Sequence, residues 1–148
     1  MDDWVRIKVL VCFVALAWDS RMNFEKVVFG FFIVLALSLN FGFFLGELDN
    51  PEHHNVYELF AVVIVNVIAT GLKFGDRSQI GAVLLATSLV ATLELIAAAT
   101  YWTVVVHMTE TGMTPDVIAS IVSLTGGALV ANVISVVILV TETLMSRL

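Results

Sequence analysis

The sequence predicts an all-α integral membrane protein, a bundle of four transmembrane helices, and three observations predict it. Of 148 residues, 59% are hydrophobic and only 14% charged, with a mean hydropathy of +1.00. So few charges cannot cover so much apolar surface in water. The apolar residues fall in four runs, each long enough to cross a hydrocarbon layer roughly 30 Å thick, which takes about 20 helical residues. The runs do not alternate in polarity, so they are helices and not strands of a barrel.

The first span is expected from about Lys26 to Gly46. The second is expected from about Pro51 to Lys73, because Asn50-Pro51-Glu52 offers a cap, a proline suited to the first helical position and an acid matched to the helix dipole. The third is expected from Gln79 to Met108, entered through Lys73-Phe74-Gly75-Asp76-Arg77-Ser78. The fourth runs from Pro115 to Met145, opened by Thr114-Pro115-Asp116.

Residues 1–21 read as a separate N-terminal segment and 22–148 as the four-helix domain. The stretch from Trp4 to Trp18 is apolar but short, with Arg6 and Lys8 near one end. A helix lying in the membrane interface suits its tryptophans and basic groups. Ala15-Leu16-Ala17 resembles a signal-peptide cleavage motif, but Asp2-Asp3 spoil the basic region such a peptide needs. Met22 would serve as an alternative start, which would make the preceding stretch an extension.

Orientation follows from the basic residues. Arg6, Lys8, Arg21, Lys26, Lys73, Arg77 and Arg147 all fall at the N-terminus, the middle loop or the C-terminus. The other two loops carry Glu47, Asp49, Glu52, Glu58, Glu110 and Asp116 and no Lys or Arg. Both termini are therefore expected in the cytoplasm, and the acidic loops outside.

Helices in lipid approach closely only where side chains are small. The last span has Ala119, Ser123, Gly127, Ala131 and Ser135 at four-residue steps, and the first has Ser38, Gly42 and Gly46. Such stripes serve packing within a protomer or between subunits. Four thin helices rarely enclose a pore alone, so a homo-oligomer is expected.

Each span also carries a strongly polar residue: Asn40, Asn66, Glu94 and Asn132. Glu94 lies near the middle of its span, where an acid costs about 2.5–3.5 kcal/mol on insertion scales. It shares a helical stripe with Thr87, Ala91, Ala98 and Tyr101. Asn40 and Glu47 are one heptad apart, Asn66 lines up with Thr70 and Lys73, and Asn132 with Thr125 and Ser135. A carboxylate with amide and hydroxyl oxygens is the equipment of a cation or proton path. The plainer reading makes the asparagines helix–helix glue and Glu94 a protonated, hydrogen-bonded strut. Glue of that kind contributes about 0.6 kcal/mol per contact, too little to offset the acid.

The three histidines, His53, His54 and His107, lie on the acidic side. Only His54 and Glu58, one helical turn apart, would readily share a metal ion, and a hydrated helix start is the commoner outcome of such a sequence. Cys12 is the lone cysteine, so no internal disulfide forms. The acidic balance and the lack of a basic patch argue against nucleic acid. No phosphate loop, dinucleotide fingerprint or nucleophile–base set points to an enzyme, and no cofactor is implied.

From Met22 onward, MNFEKVVFGFFIVLALSLNFGFFLGELDNPEHHNVYELF and then GLKFGDRSQIGAVLLATSLVA resemble an uncharacterised family of small four-span bacterial inner-membrane proteins. The resemblance implies a multi-pass protein of that membrane and transfers no functional residues. Small multidrug transporters are a poor match, because their membrane-buried Glu lies in the first helix and the first span here has no central acid. The sequence therefore points to a small channel or transporter for a cation or proton, or else to a non-transporting accessory or assembly subunit of a larger membrane complex.

Overall fold

The computed structural model describes the backbone of residues 3–146 and 148, and their side chains apart from those of residues 3, 6 and 15–23. It is all-helical, in the order α1 (Asp3–Phe44), a 3-10 turn (Pro51–His53), α2 (Val56–Lys73), α3 (Gln79–Met108) and α4 (Pro115–Met145). Four segments are long and apolar enough to cross a membrane, the make-up of a multi-pass membrane protein: Phe24–Phe44 within α1, and α2, α3 and α4.

The helices form a closed ring in which α1 packs on α2 and α4, and α3 packs on α2 and α4. Short loops make successive helices antiparallel. Lys26 meets Glu142 at 3.1 Å, which brings the start of the first span beside the end of α4.

The predicted third and fourth spans match α3 and α4 at both ends. Ser78 Oγ accepts the Gly81 N–H, and Thr114 Oγ1 accepts that of Val117, so each cap satisfies an orphan donor of the first turn. The second span begins later than expected. Asn50 does cap a turn at Pro51, but that turn lasts three residues. His54 then adopts an extended conformation, and Asn55 caps the true α2 by accepting from Tyr57 N–H.

The first span is not separated from the preceding residues, since one 42-residue helix covers both. Trp4, Ile7, Val9, Leu10, Val11, Phe13 and Val14 are all exposed on it. The side chains of Arg6, Trp18, Arg21 and Arg147 and of the Ala15-Leu16-Ala17 motif lie outside the described residues, as does the Met22 side chain.

Two apolar clusters share no residue. One, toward the acidic loops, is built on Phe43, Leu59, Val62, Leu95, Ile118 and Ile121. The other, toward Lys26 and Lys73, is built on Phe29, Ile33, Ala69 and Leu84. Between their large side chains lies a layer of different composition.

Candidate functional site

Asn40, Asn66, Ser88 and Asn132, one from each helix, are fully buried. Pairs of facing residues fix their relative heights. Lys26–Glu142 and Phe44 against Gly126 align α1 with α4 and put Asn40 opposite Ala128–Val130. Thr87–Ser135, at 2.6 Å, and Glu94 against Gly127 align α3 with α4 and put Asn132 opposite Leu89–Val90. Thr70 reaches both Ser88 and Thr92, which puts Asn66 opposite the turn containing Glu94. At 1.5 Å rise per residue, the four buried residues and Glu94 occupy a slab about 10 Å thick.

This layer is poor in internal hydrogen bonds. Among the described residues, the buried side-chain atoms without a partner are both amide atoms of Asn40 and of Asn132, Asn66 Oδ1, Ser88 Oγ and Glu94 Oε2. All belong to this one layer. An unmet buried polar group costs about 1–3 kcal/mol, so their concentration in one slab is the chief departure of this bundle from an ordinary apolar core. Asn66 turns its amide back to the Val62 carbonyl at 3.1 Å, leaving its oxygen unmet.

Glu94 sits to one side, in the seam between α3 and α4. It is half-buried, and its carboxylate lies over Gly127, where a Cβ would come within 2.5 Å of Oε1 and 2.9 Å of Oε2. The glycine was expected as a packing residue; what it accommodates is the acid. Thr87, two turns earlier on the same stripe, donates or accepts at Ser135 Oγ and also reaches the Val83 and Leu84 carbonyls at 3.1 Å.

The remaining expected residues divide. Thr70 and Lys73 are buried with Asn66 on one face of α2, and Thr125 and Ser135 with Asn132 on one face of α4. Ala131 is buried too, but Ser123 and Gly42 face outward. For Ser123 the reason is geometric, since a four-residue step advances about 40° beyond a full turn and a long stripe winds off one face. The first-span stripe starts outward, at the exposed Ser38, and its expected third member, Gly46, lies beyond the end of α1. Tyr101, at the end of the Glu94 stripe, is 39% exposed. Glu47 does not share a helical face with Asn40, because α1 ends at Phe44; its carboxylate takes the Asn50 amide at 3.1 Å and faces His53 at 3.7 Å.

His54 has a different role from the metal ligand considered with Glu58. Its ring is buried against Phe43, Nδ1 is 2.9 Å from the Phe43 carbonyl, and Nε2 is 2.9 Å from the Glu47 carbonyl. These carbonyls belong to the last turn of α1 and the loop beyond it, where helix acceptors go unmet. A Cβ at Gly46 would lie 2.7 Å from the ring, so that glycine makes the room. Glu58 is exposed, and among the described residues no group of three or more His, Cys, Asp or Glu is placed to hold a metal ion.

At the opposite end, a cleft of about 960 Å³ opens between Phe24–Phe29 of α1 and Gly71–Arg77. It exists because α2 has 18 residues where α3 has 30 and α4 has 31. Lys73 closes its floor, buried, with Nζ 3.2 Å from Asp76 and 4.5 Å from the Phe29 ring centroid. Burial pushes the Asp76 carboxyl upward, but hydrogen bonds from the Ser78 hydroxyl and N–H, and the Lys73 ammonium, outweigh that and leave it below the ordinary 3.8. Lys73, Thr70 and Asn66 run from this cleft into the polar layer at helical spacing.

Ser88 is the layer member that sequence reasoning missed. A single serine in an apolar helix has little insertion cost and no motif around it. The signal was its position on the buried Leu84, Ala91, Leu95 and Ala98 face.

Apolar helices ringed around a buried polar layer define a multi-pass helical membrane protein. Its profile match is to a family described as "Family of unknown function (DUF6394)", over residues 53–143, and the chain belongs to that family. No curated protein and no solved structure matches the chain.

Proposed function

We propose that this chain is a small homo-oligomeric channel or transporter for a cation or proton in a bacterial inner membrane, with both termini in the cytoplasm. The observation that carries the reading is Glu94. Its carboxylate sits mid-span over Gly127, with a buried, unpartnered oxygen, at the height of the unpartnered amides of Asn40 and Asn132 and the unpartnered amide oxygen of Asn66. Ionisable groups at that depth are costly and mark ion pathways and proton relays. The cleft above Lys73 supports the reading, since it shortens the apolar distance from one surface to the layer. The basic residues set the orientation. The outward-facing Ser123 and Gly42 are flat places on a lipid-facing surface, suited to contact between subunits.

The test is flux in reconstituted vesicles. Glu94→Gln keeps size and hydrogen-bonding capacity but removes the charge and the exchangeable acid proton. The expected result is loss of cation or proton flux from an intact oligomer. Unchanged flux in the variant removes Glu94 from the mechanism.

One observation favours a second reading, a non-transporting accessory subunit. The exposed apolar side chains from Trp4 to Val14 suit contact with another membrane protein. Absence of wild-type flux, with stable co-purification of a defined membrane complex, would favour it.

A further inference from the structure

We infer that the layer formed by Asn40, Asn66, Ser88 and Asn132 is a binding site for a dehydrated monovalent alkali cation, with Glu94 as its counter-charge. The inference rests on reading the layer as part of a cation path, and it names the ion class and the place where that ion rests.

Oxygen type comes first. The unpartnered acceptors are Asn40 Oδ1, Asn66 Oδ1, Ser88 Oγ, Asn132 Oδ1 and Glu94 Oε2, all buried. Amide, hydroxyl and carboxylate oxygens are hard ligands, suited to a hard cation stripped of water. Among the described residues no cysteine or histidine belongs to the layer: Cys12, His53 and His107 are exposed and His54 lies against the Phe43 and Glu47 carbonyls. A soft transition metal would lack its preferred donors.

Charge comes second. Glu94 is the one acid among the described residues at this height, and the nearest cation, the buried Lys73 at the Ser88 edge of the layer, directs its ammonium away from it, to Asp76 and the Phe29 ring. One carboxylate balances one positive charge. A divalent cation would remain half-neutralised in a low-dielectric interior, whereas a monovalent cation would not.

Direction comes third. Four side chains, each wholly buried and each from a different helix of a closed ring, lie in one slab. None of the four reaches the bundle's surface, so any partner for their polar ends must come from between the helices. Thr70 and Thr92 hydroxyls, 2.8 Å apart on the Lys73 side of Asn66, continue the polar lining toward the cleft.

The experiment is thermal unfolding of the full-length protein in detergent, at constant ionic strength, with NaCl or KCl exchanged against choline chloride. A ligand that binds only the folded state raises the melting temperature in proportion to the logarithm of its concentration once the site saturates. The expected result is a rise of roughly 5 °C or more with one of the alkali ions over choline. Glu94→Gln should lose most of that rise, and Asn132→Ala part of it, while Ser123→Ala, on the outer surface, should keep it. An equal rise in Glu94→Gln, or no difference between alkali ions and choline, overturns the site. If flux is proton-selective and insensitive to alkali ions, the site fails while the transport reading stands. If the alkali ion stabilises the protein but no flux is measured, the site stands and the transport reading fails.

Discussion

Gly127 holds open the space that the Glu94 carboxylate occupies, and no other residue could do so without moving the acid, since a Cβ there would approach Oε1 to 2.5 Å. The two are therefore coupled. Gly127→Ala should destabilise the protein by about 1–3 kcal/mol through overpacking, and Gly127→Leu by more than Leu139→Ala. In a Glu94→Ala background the Gly127→Ala penalty should shrink by about 1 kcal/mol or more. Unfolding of the two single variants and the double variant gives the coupling directly. Strict additivity would show that the carboxylate does not rest on Gly127.

The C-terminal end of α1 is tied down by His54 and not by its neighbour. His54→Phe should cost about 1 kcal/mol, since an imidazole carrying one N–H donates to one of the two carbonyls at a time. It should also speed amide exchange at Leu48 and Asn50. His53→Phe, at an exposed position, should be nearly neutral. Equal effects of the two substitutions would contradict the clasp.

Gly42 and Gly46 separate packing within the protomer from contact outside it. A Cβ at Gly42 meets nothing within 4 Å, whereas one at Gly46 collides with His54. Gly46→Ala should lower the melting temperature, and Gly42→Ala should leave the protomer's stability unchanged. If Gly42 lies between subunits, Gly42→Leu should shift the oligomer toward smaller species on sizing. A drop in protomer stability for Gly42→Ala would show that the outward placement is wrong.

Asp76 gives a pH dependence whose sign is fixed. Its carboxyl titrates below 3.8 in the folded chain because Ser78 and Lys73 favour the charged form. The ionised form therefore stabilises the α2–α3 turn fully above that value, and the stabilisation is lost as pH falls through the folded-state value. Asp76→Asn should lower stability at neutral pH and show less of the acid-induced loss below about pH 4. An identical acid limb in wild type and variant would assign the transition to other carboxyls.

Legibility in the sequence followed the range of the interactions concerned. Ser78 and Thr114-Pro115 act within one turn of themselves, so the starts of α3 and α4 could be read from neighbours alone. Pro51 misled, because the decision between starting α2 there and at Val56 rests on His54 reaching back to Phe43 and Glu47, a contact set by the returning chain. Asn40, Asn66, Glu94 and Asn132 stood out because polar groups are costly in lipid. Their depths in the spans are already compatible with one cluster in the sequence, but whether their faces converge could not be read, since it depends on how each helix turns and slides against its neighbours. Ser123 failed for a local reason: a stripe counted in fours outruns the 3.6-residue turn. Gly127 was picked out for its small size, but only the fold shows that the size serves Glu94.

The short α2 has a consequence for the surrounding lipid. At 1.5 Å per residue its 18 residues span about 27 Å, while the 30 and 31 of α3 and α4 span about 45 Å. A flat bilayer cannot match both hydrophobic lengths, so acyl chains beside α2 must thin where those beside the α3–α4 hairpin stretch, or the hairpin must tilt. The protein is thus wedge-like to its solvent. It should draw its own copies together along the face where lipid is most deformed.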